Sequence, residues 1–169
     1  MPPNTSQIVV SSLYTDLVVY ESGDGGDLIL NDVSDVETSD SFYTSIYLAL
    51  FGGNIEASTT NDEVQPEQRF DFWGNDFLDI NSQFNSYTER AINKNALDTK
   101  GIKAIESAVK KDVEFLSIVG KVTAECNLIE LDKLQILVTV QQGNNNTNAT
   151  TYQYIWDATK QEVIINQYI

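Results

Sequence analysis

The chain has 169 residues, of which 41% are hydrophobic and 21% charged, an ordinary composition for one globular domain with a full core. Its net charge of −15 argues against nucleic-acid binding, because a phosphate backbone would be repelled. The absence of histidine excludes Ser-His and Cys-His catalytic pairs, and a single cysteine excludes an internal disulfide or a multi-cysteine zinc site.

The negative charge is concentrated in the first part of the chain. Residues 1 to 68 contain 12 acidic residues and no lysine or arginine, whereas residues 69 to 169 carry 13 acids and 10 bases. Two interpretations follow: a solvated acidic surface that keeps the protein soluble, or a docking face for a basic partner. The first is the more ordinary explanation for most of these carboxylates.

The first forty residues predict a β-hairpin. The β-rich runs at residues 16–20 and 27–30 are separated by the glycine-rich stretch 22–26, which supplies turn conformations. Asp24 and Asp27 flank these glycines, but their spacing differs from a calcium-binding EF-hand loop, so we expect a plain turn.

A helix is predicted to follow the hairpin. Ser39 or Asp40 could cap its start, and apolar residues recur at a spacing of four from Phe42 to Leu50. Gly52 is expected to end the helix in the left-handed conformation. The polar stretch 54–68 is then expected to be a surface loop.

The strongest helical pattern spans residues 99–116. Asp98 or Thr99 is the expected cap, Glu106 and Lys110 form a favourable surface pair, and Gly101 should weaken the helix modestly. One apolar stripe runs along it and consists of Ile102, Ile105, Val109, Val113 and Leu116.

Beyond Gly120 the hydrophobic period changes to two. Residues 122–128 and 134–140 alternate as two strands joined by a turn at 130–133, and this pattern makes Cys126 a buried core residue. A polar loop at 143–151 is followed by a hairpin of residues 152–156 and 163–165. The predicted fold is therefore α+β, with a mostly antiparallel sheet, about three helices packed on one side and the N-terminal hairpin in front.

Carboxylate pairs are the remaining catalytic option. Asp71, Asp76 and Asp79 lie near aromatic residues and could form a glycosidase-like pair. With 25 acidic residues, chance neighbours are expected, so solvated or capping roles are more ordinary for each. We therefore expect no enzyme activity, no catalytic residue, no metal site and no cofactor.

An aromatic segment at residues 70–77 favours an interaction surface. Phe72 and Trp73 could be binding hot spots, and Gly74 would let a facing backbone approach closely. The alternative is that these rings cover the core beneath a loop. An exposed, flat Trp73 ring would also suit carbohydrate binding.

A family resemblance rests on the order of several segments. They are the strand at 16–20, the run from Gly26 to Leu30, the helix at 42–51 ending in Leu-Phe, the Phe72-Trp73-Gly74-Asn75-Asp76 element and the stretch from Ser82 to Arg90. Together with the long helix and two alternating strands, this order resembles the small baseplate-wedge proteins of Mu-like contractile-tailed phages. These in turn resemble the sheath-initiator wedge proteins of other contractile tails, which carry a lysozyme-like label. The resemblance covers about residues 16 to 165.

The resemblance implies a structural role in a virion tail baseplate that is assembled in the host cytoplasm. The implied partners are larger wedge proteins, the tail sheath subunit and hub or tube proteins, with multiple copies in a symmetric assembly and neither nucleic acid nor membrane bound. It divides the chain into an N-terminal hairpin arm, 1–38, and an α+β wedge domain, 39–169. The alternatives are a peptidoglycan-cleaving or a carbohydrate-binding tail accessory protein.

Two family features are missing, namely the arginine-rich stretch after Leu-Phe and the Glu-Pro-Arg motif after the long helix. Arg69 and Arg90 therefore become the candidates for bidentate pairing with a partner carboxylate. Because terminal strands can pair beyond their own domain, the last strand is the expected site of β-augmentation. The expected partner-binding residues are Arg69, Phe72, Trp73, Gly74, Asp76, Arg90, Val163, Ile164 and Ile165.

Overall fold

The computed structural model describes residues 16–17, 19–21, 26–39, 42–52, 77, 79, 84–142 and 149–166. Within these ranges, three helices pack on a four-stranded antiparallel sheet, which confirms the predicted α+β fold. The loop predicted at 54–68, and most of the one predicted at 143–151, lie outside the described residues.

The sheet is a meander in which each strand pairs with the next one along the chain. Its strands are β5 (Gly120–Glu130), β6 (Lys133–Gln142), β7 (Ala149–Asp157) and β8 (Glu162–Asn166), after four short strands nearer the N terminus. Alternate residues on one face of β6 are buried, as their period of two predicts, and Ala124 and Cys126 of β5 are buried with them. β7 is buried on both faces from Tyr152 to Asp157. The predicted turn between β5 and β6 is confirmed.

The helices form a layer on that buried face. They are α1 (Tyr43–Phe51), α2 (Tyr87–Lys94) and α3 (Thr99–Asp112), and a 3-10 helix (Glu114–Ile118) links α3 to β5. Helix α3 packs on β5 and α2 packs on α3. The predicted long helix is thus an α-helix followed by a tighter 3-10 turn, with the apolar stripe facing the core.

Four short strands precede α1, and two of them form the predicted hairpin. They are β1 (Asp16–Leu17), β2 (Val19–Glu21), β3 (Gly26–Leu28) and β4 (Thr38–Ser39). β2 pairs with β3, and β1 pairs with β4. Because β4 is Thr38–Ser39, the β1–β4 pairing involves residues on both sides of the predicted boundary between the hairpin arm and the wedge domain, at 38/39. The Thr44 hydroxyl donates a hydrogen bond to the Leu17 carbonyl and joins α1 to β1.

Helix α1 is held on the sheet by tyrosines of β7. The Tyr154 hydroxyl donates to the Tyr43 carbonyl at 2.8 Å, and the Phe42 amide donates to the Tyr152 hydroxyl at 3.1 Å. The Tyr43 and Tyr154 rings stack with centroids 5.4 Å apart. Nearly all residues of α1 are buried, so this helix lies within the core instead of on the surface.

Two predictions about the ends of α1 need correction. The predicted cap at Ser39 or Asp40 is wrong, because the helix begins at Tyr43 with Phe42 in the N-cap position. The end at Gly52 is confirmed, but its φ of −85° is not left-handed. Glycine is required there because a Cβ would lie 2.4 Å from the Leu48 carbonyl oxygen.

Candidate partner-binding surfaces

Strand β8 lies at an edge of the sheet. Within the described ranges it is hydrogen-bonded to β7 alone, with Val163 opposite Trp156 and Ile165 opposite Tyr154. The Val163 side chain is buried in the core and the Ile164 side chain is partly exposed. The structure therefore brings the three predicted residues of the last strand together at an edge.

The direction of each backbone group on β8 follows from two hydrogen bonds elsewhere in the sheet. The Ala158 amide donates to the Asp132 carbonyl at 2.7 Å, so these two opposite residues form a hydrogen-bonded pair. Such pairs recur at every second position of antiparallel strands. Leu134 with Trp156, and Ile136 with Tyr154, are therefore also hydrogen-bonded pairs of β6 and β7. The Cys126 amide points away from β6, so Cys126 and Ile136 are a non-hydrogen-bonded pair, which agrees with the Ile136 backbone groups facing β7. Because pairs alternate in antiparallel strands, the N–H and C=O groups of Val163 and Ile165 face away from β7.

The opposite edge of the sheet is partly occupied by a helix side chain. A carboxylate oxygen of Glu106, on α3, accepts a hydrogen bond from the Cys126 amide of β5 at 3.4 Å, and its other oxygen accepts from Lys110 at 2.5 Å. The Lys110 ammonium is the main cause of the lowered pKa of Glu106. One outward backbone donor of β5 is therefore already satisfied within the chain.

The N terminus of α2 is capped by two side chains. The Ser86 hydroxyl accepts from the Glu89 amide at 3.0 Å and donates to the Leu50 carbonyl. Asp112, at the end of α3, accepts from the Tyr87 and Thr88 amides at 3.1 and 2.7 Å and from the Thr88 hydroxyl at 2.6 Å. Burial raises the pKa of Asp112 to about 6, although these hydrogen bonds act in the opposite direction.

A cavity of about 430 Å³ opens beside this cap. It lies between α1, the N terminus of α2 and the C terminus of α3, with Ala49, Phe84, Tyr87 and Phe115 among its apolar lining and Lys111 among its polar lining. Tyr87 and Phe115 are 40% and 45% exposed, so both rings can be reached from solvent. Reasoning from the sequence missed this cavity because it joins segments that are distant along the chain.

Arg90 is the predicted partner-binding residue with the most unusual environment. It is half-buried on α2, and its guanidinium carbon lies 5.8 Å from the centroid of the Tyr87 ring. Its Nε and Nη2 atoms are buried, with no hydrogen-bond acceptor among the residues that the structure describes. Desolvation by burial lowers the pKa of this guanidinium, while nearby Asp112 and Glu89 partly oppose the shift.

The other predicted site residues fall in two groups. Arg69, Phe72, Trp73, Gly74 and Asp76 lie outside the described residues, as does Asp71. Asp79 is described and is exposed. Arg90 lies in the helix layer, whereas Val163, Ile164 and Ile165 lie on the sheet, so the structure presents two separate surfaces.

Within the described part of the chain, no group of three or more acidic or cysteine side chains could hold a metal ion. No helix among these residues is both long enough and apolar enough to cross a membrane. The chain matches no known family model, no curated protein and no solved structure.

Proposed function

We propose that this chain is a structural wedge subunit of a contractile phage-tail baseplate, and that it acts by being held among neighbouring proteins. It binds larger wedge proteins around the hub and helps to start the sheath, with β8 as the strand that receives an extended segment of a partner. The sequence resemblance supports the role in a baseplate, and the position of β8 at a sheet edge supports binding by strand addition. The observation that carries this mode is the outward direction of the Val163 and Ile165 backbone groups.

Strand addition at this edge is physically reasonable. Outward N–H and C=O groups on an edge strand can pair with an incoming strand, and main-chain hydrogen bonds supply affinity with little demand on sequence. β2 lies against β8 without joining its hydrogen-bonded ladder, so the hairpin leaves the backbone pairing of this edge unfilled within the described ranges. β8 is fixed by its pairing with β7, which lowers the entropy cost of adding another strand.

Two proline variants test the edge. Ile165→Pro removes a backbone N–H that faces away from β7, so the sheet keeps its ladder of hydrogen bonds. Ile164→Pro removes an N–H that bonds to β7 and should cost about 1 kcal/mol or more. The assay is assembly of purified chain with the tail proteins encoded beside it, scored by electron microscopy of baseplates and sheath.

The expected result is that Ile165→Pro blocks sheath initiation while the free subunit stays folded with its β7–β8 ladder intact. Hydrogen exchange adds a direct measurement, since the Val163 and Ile165 amides should become protected when the assembly forms. Normal assembly by Ile165→Pro, with no new protection at either amide, would exclude β8 as the receiving strand. Absence of the chain from purified tail particles would exclude the baseplate role itself.

A further inference from the structure

The loop of residues 30–37, which joins β3 to β4, carries two apolar side chains in contact with solvent. Leu30 is 61% exposed and Val33 is 81% exposed. A single exposed apolar residue is ordinary on a protein surface, but two of them on one short loop form an apolar tip. Covering this tip with the apolar surface of another protein would be favourable, because it removes that area from water.

Hydrogen bonds hold this loop in one conformation. The Asn31 carboxamide oxygen accepts from the Val33 amide at 3.1 Å and from the Asp35 amide at 3.0 Å. The Asn31 amide donates to the Asp35 carbonyl at 2.8 Å, and the Ser34 amide donates to the Asn31 carbonyl at 2.9 Å. Ser34 is thereby held at a left-handed φ of 62°, which residues other than glycine seldom adopt. A loop fixed in this way loses little conformational entropy when it binds a partner.

Every charged side chain of this loop is acidic. Asp32, Asp35 and Glu37 are all exposed, and residues 1 to 68 contain no lysine or arginine. The ion pairs between described residues all lie within residues 106–162 and involve none of these three carboxylates. The tip therefore presents two apolar side chains among three carboxylates that no described cation neutralises.

This combination of charge and apolar surface selects the chemistry of a partner. The carboxylates would repel the phosphates of a nucleic acid and the headgroups of an anionic lipid surface. A protein surface with lysine or arginine side chains beside an apolar area matches both features of the loop. Its cations would pair with the carboxylates, and its apolar area would cover Leu30 and Val33.

We propose that the loop of residues 30–37 docks onto a basic surface of a neighbouring protein, with Leu30 and Val33 against an apolar area of that surface. The inference rests on the proposed function, since it requires that the chain works by contact with neighbours. It adds a contact on the N-terminal part of the chain. This contact is made by side chains, whereas β8 is proposed to bind through its backbone.

The test uses four capped tripeptides as probes. They are acetyl-Lys-Leu-Lys-amide, its two analogues with Gln or Glu in place of both Lys residues, and acetyl-Lys-Gly-Lys-amide. NMR follows the methyl groups of Leu30 and Val33 while each peptide is added to the whole chain. The Lys-Leu-Lys peptide should shift these signals at low salt, and added salt should weaken the response. The Gln and Gly analogues should shift them less, and the Glu analogue should leave them in place.

A matched pair of charge variants assigns the binding to this loop. Asp32→Asn removes one charge with almost no change in size and should weaken binding of the Lys-Leu-Lys peptide by about two- to fivefold, the range of an exposed ion pair. Glu125→Gln removes the same charge from an exposed position on β5 and should leave the binding unchanged.

A second pair of variants tests the apolar contact, with the Val33 methyl groups as the readout. Leu30→Ser should weaken binding by about two- to fourfold, up to the effect of one buried methylene group. Leu131→Ser changes a leucine that is 94% exposed at the turn between β5 and β6, and it should have no effect on binding. Circular dichroism should be unchanged in both variants, since both side chains are largely exposed.

Equal shifts with the Lys and Gln peptides, a preference for the Glu peptide, or equal losses in Asp32→Asn and Glu125→Gln would overturn the inference. Equal losses in Leu30→Ser and Leu131→Ser would also overturn it. These results are independent of the sheet edge. If the peptides fail while Ile165→Pro still blocks assembly, the baseplate proposal stands and the loop contact is wrong. If the chain is absent from tail particles, the baseplate proposal fails whatever the peptides do.

Discussion

Asp112 gives the protein a pH dependence whose sign can be worked out from its surroundings. Burial raises the pKa of this carboxyl from 3.8 to about 6, against the effect of hydrogen bonds from Tyr87 and Thr88. The folded chain therefore holds this proton more tightly than the unfolded chain does. The contribution of Asp112 to stability is fully present below pH 3.8 and is lost as the pH rises through about 6.

The expected magnitude follows from the two pKa values. Their difference corresponds to about 3 kcal/mol in the free energy of unfolding. Asp112→Asn removes the titration but keeps one acceptor oxygen for the α2 donors. Relative to this variant, the wild-type chain should gain about 3 kcal/mol as the pH falls from neutral to below the ordinary range of an aspartate. Taking the difference removes the titrations that the two chains share.

Urea unfolding followed by circular dichroism, from about pH 4 to about pH 7, measures this difference. Asp112→Ala serves as a second variant, because it leaves the donors of Tyr87 and Thr88 without their acceptor and should cost about 1 to 3 kcal/mol. Glu106→Gln is the control of opposite sign. Lys110 lowers the pKa of Glu106, so the contribution of this residue is present at neutral pH and is lost as the pH falls through the lowered pKa.

Asp112 does not have this pH dependence if the stability difference from Asp112→Asn is flat with pH, or if the wild-type chain gains stability relative to the variant as the pH rises. Either result would mean that the hydrogen bonds outweigh burial. A carbon-detected NMR titration of the Asp112 carboxyl provides an independent check, with a midpoint expected near pH 6.

Three further outcomes are expected. Gly101→Ala should destabilise the chain by about 1 to 3 kcal/mol, despite the helix preference of alanine, because a Cβ would lie 1.9 Å from the Ala96 carbonyl oxygen. Urea unfolding measures this loss, with the exposed substitution Ser107→Ala as the control. Ser86→Ala should cost about 1 to 3 kcal/mol, since the hydroxyl makes two buried hydrogen bonds that link α2 to α1; thermal unfolding measures it. Cys126 should resist alkylation at pH 8 until the chain unfolds, because burial raises its pKa to about 12; mass spectrometry follows the adduct.

The parts of the fold that follow from periodicity were predictable. Alternation along β5 and β6 predicted both strands and placed Cys126 in the core. The stripe along α3 predicted its buried face, and Asp98 caps it by accepting from the Lys100 and Gly101 amides. Each of these features depends on neighbours within one or two turns or along one strand, which is the range over which a sequence pattern carries information.

The candidate surfaces depend on contacts between distant segments, and these are not encoded in any local pattern. Asp112 meets Thr88 across 24 positions, and the Ser86 hydroxyl reaches Leu50 across 36. Arg90 is a candidate from the sequence as one of two arginines, but the lack of acceptors for its buried nitrogens among the described residues appears only once the helix layer is assembled. Gly101 illustrates the same limit, because its close contact with the Ala96 carbonyl cannot be inferred from helix propensity.

The two edges of the sheet are physically unequal, and this inequality favours β8 for strand addition. On β5, a partner strand would have to displace Glu106 from the Cys126 amide and then accommodate that carboxylate and its Lys110 partner beside the new strand. On β8, the outward groups of Val163 and Ile165 have no such acceptor or donor from the described helices. The helix layer thus occupies one position on the β5 edge through a single side chain, so strand addition is expected to favour the β8 edge.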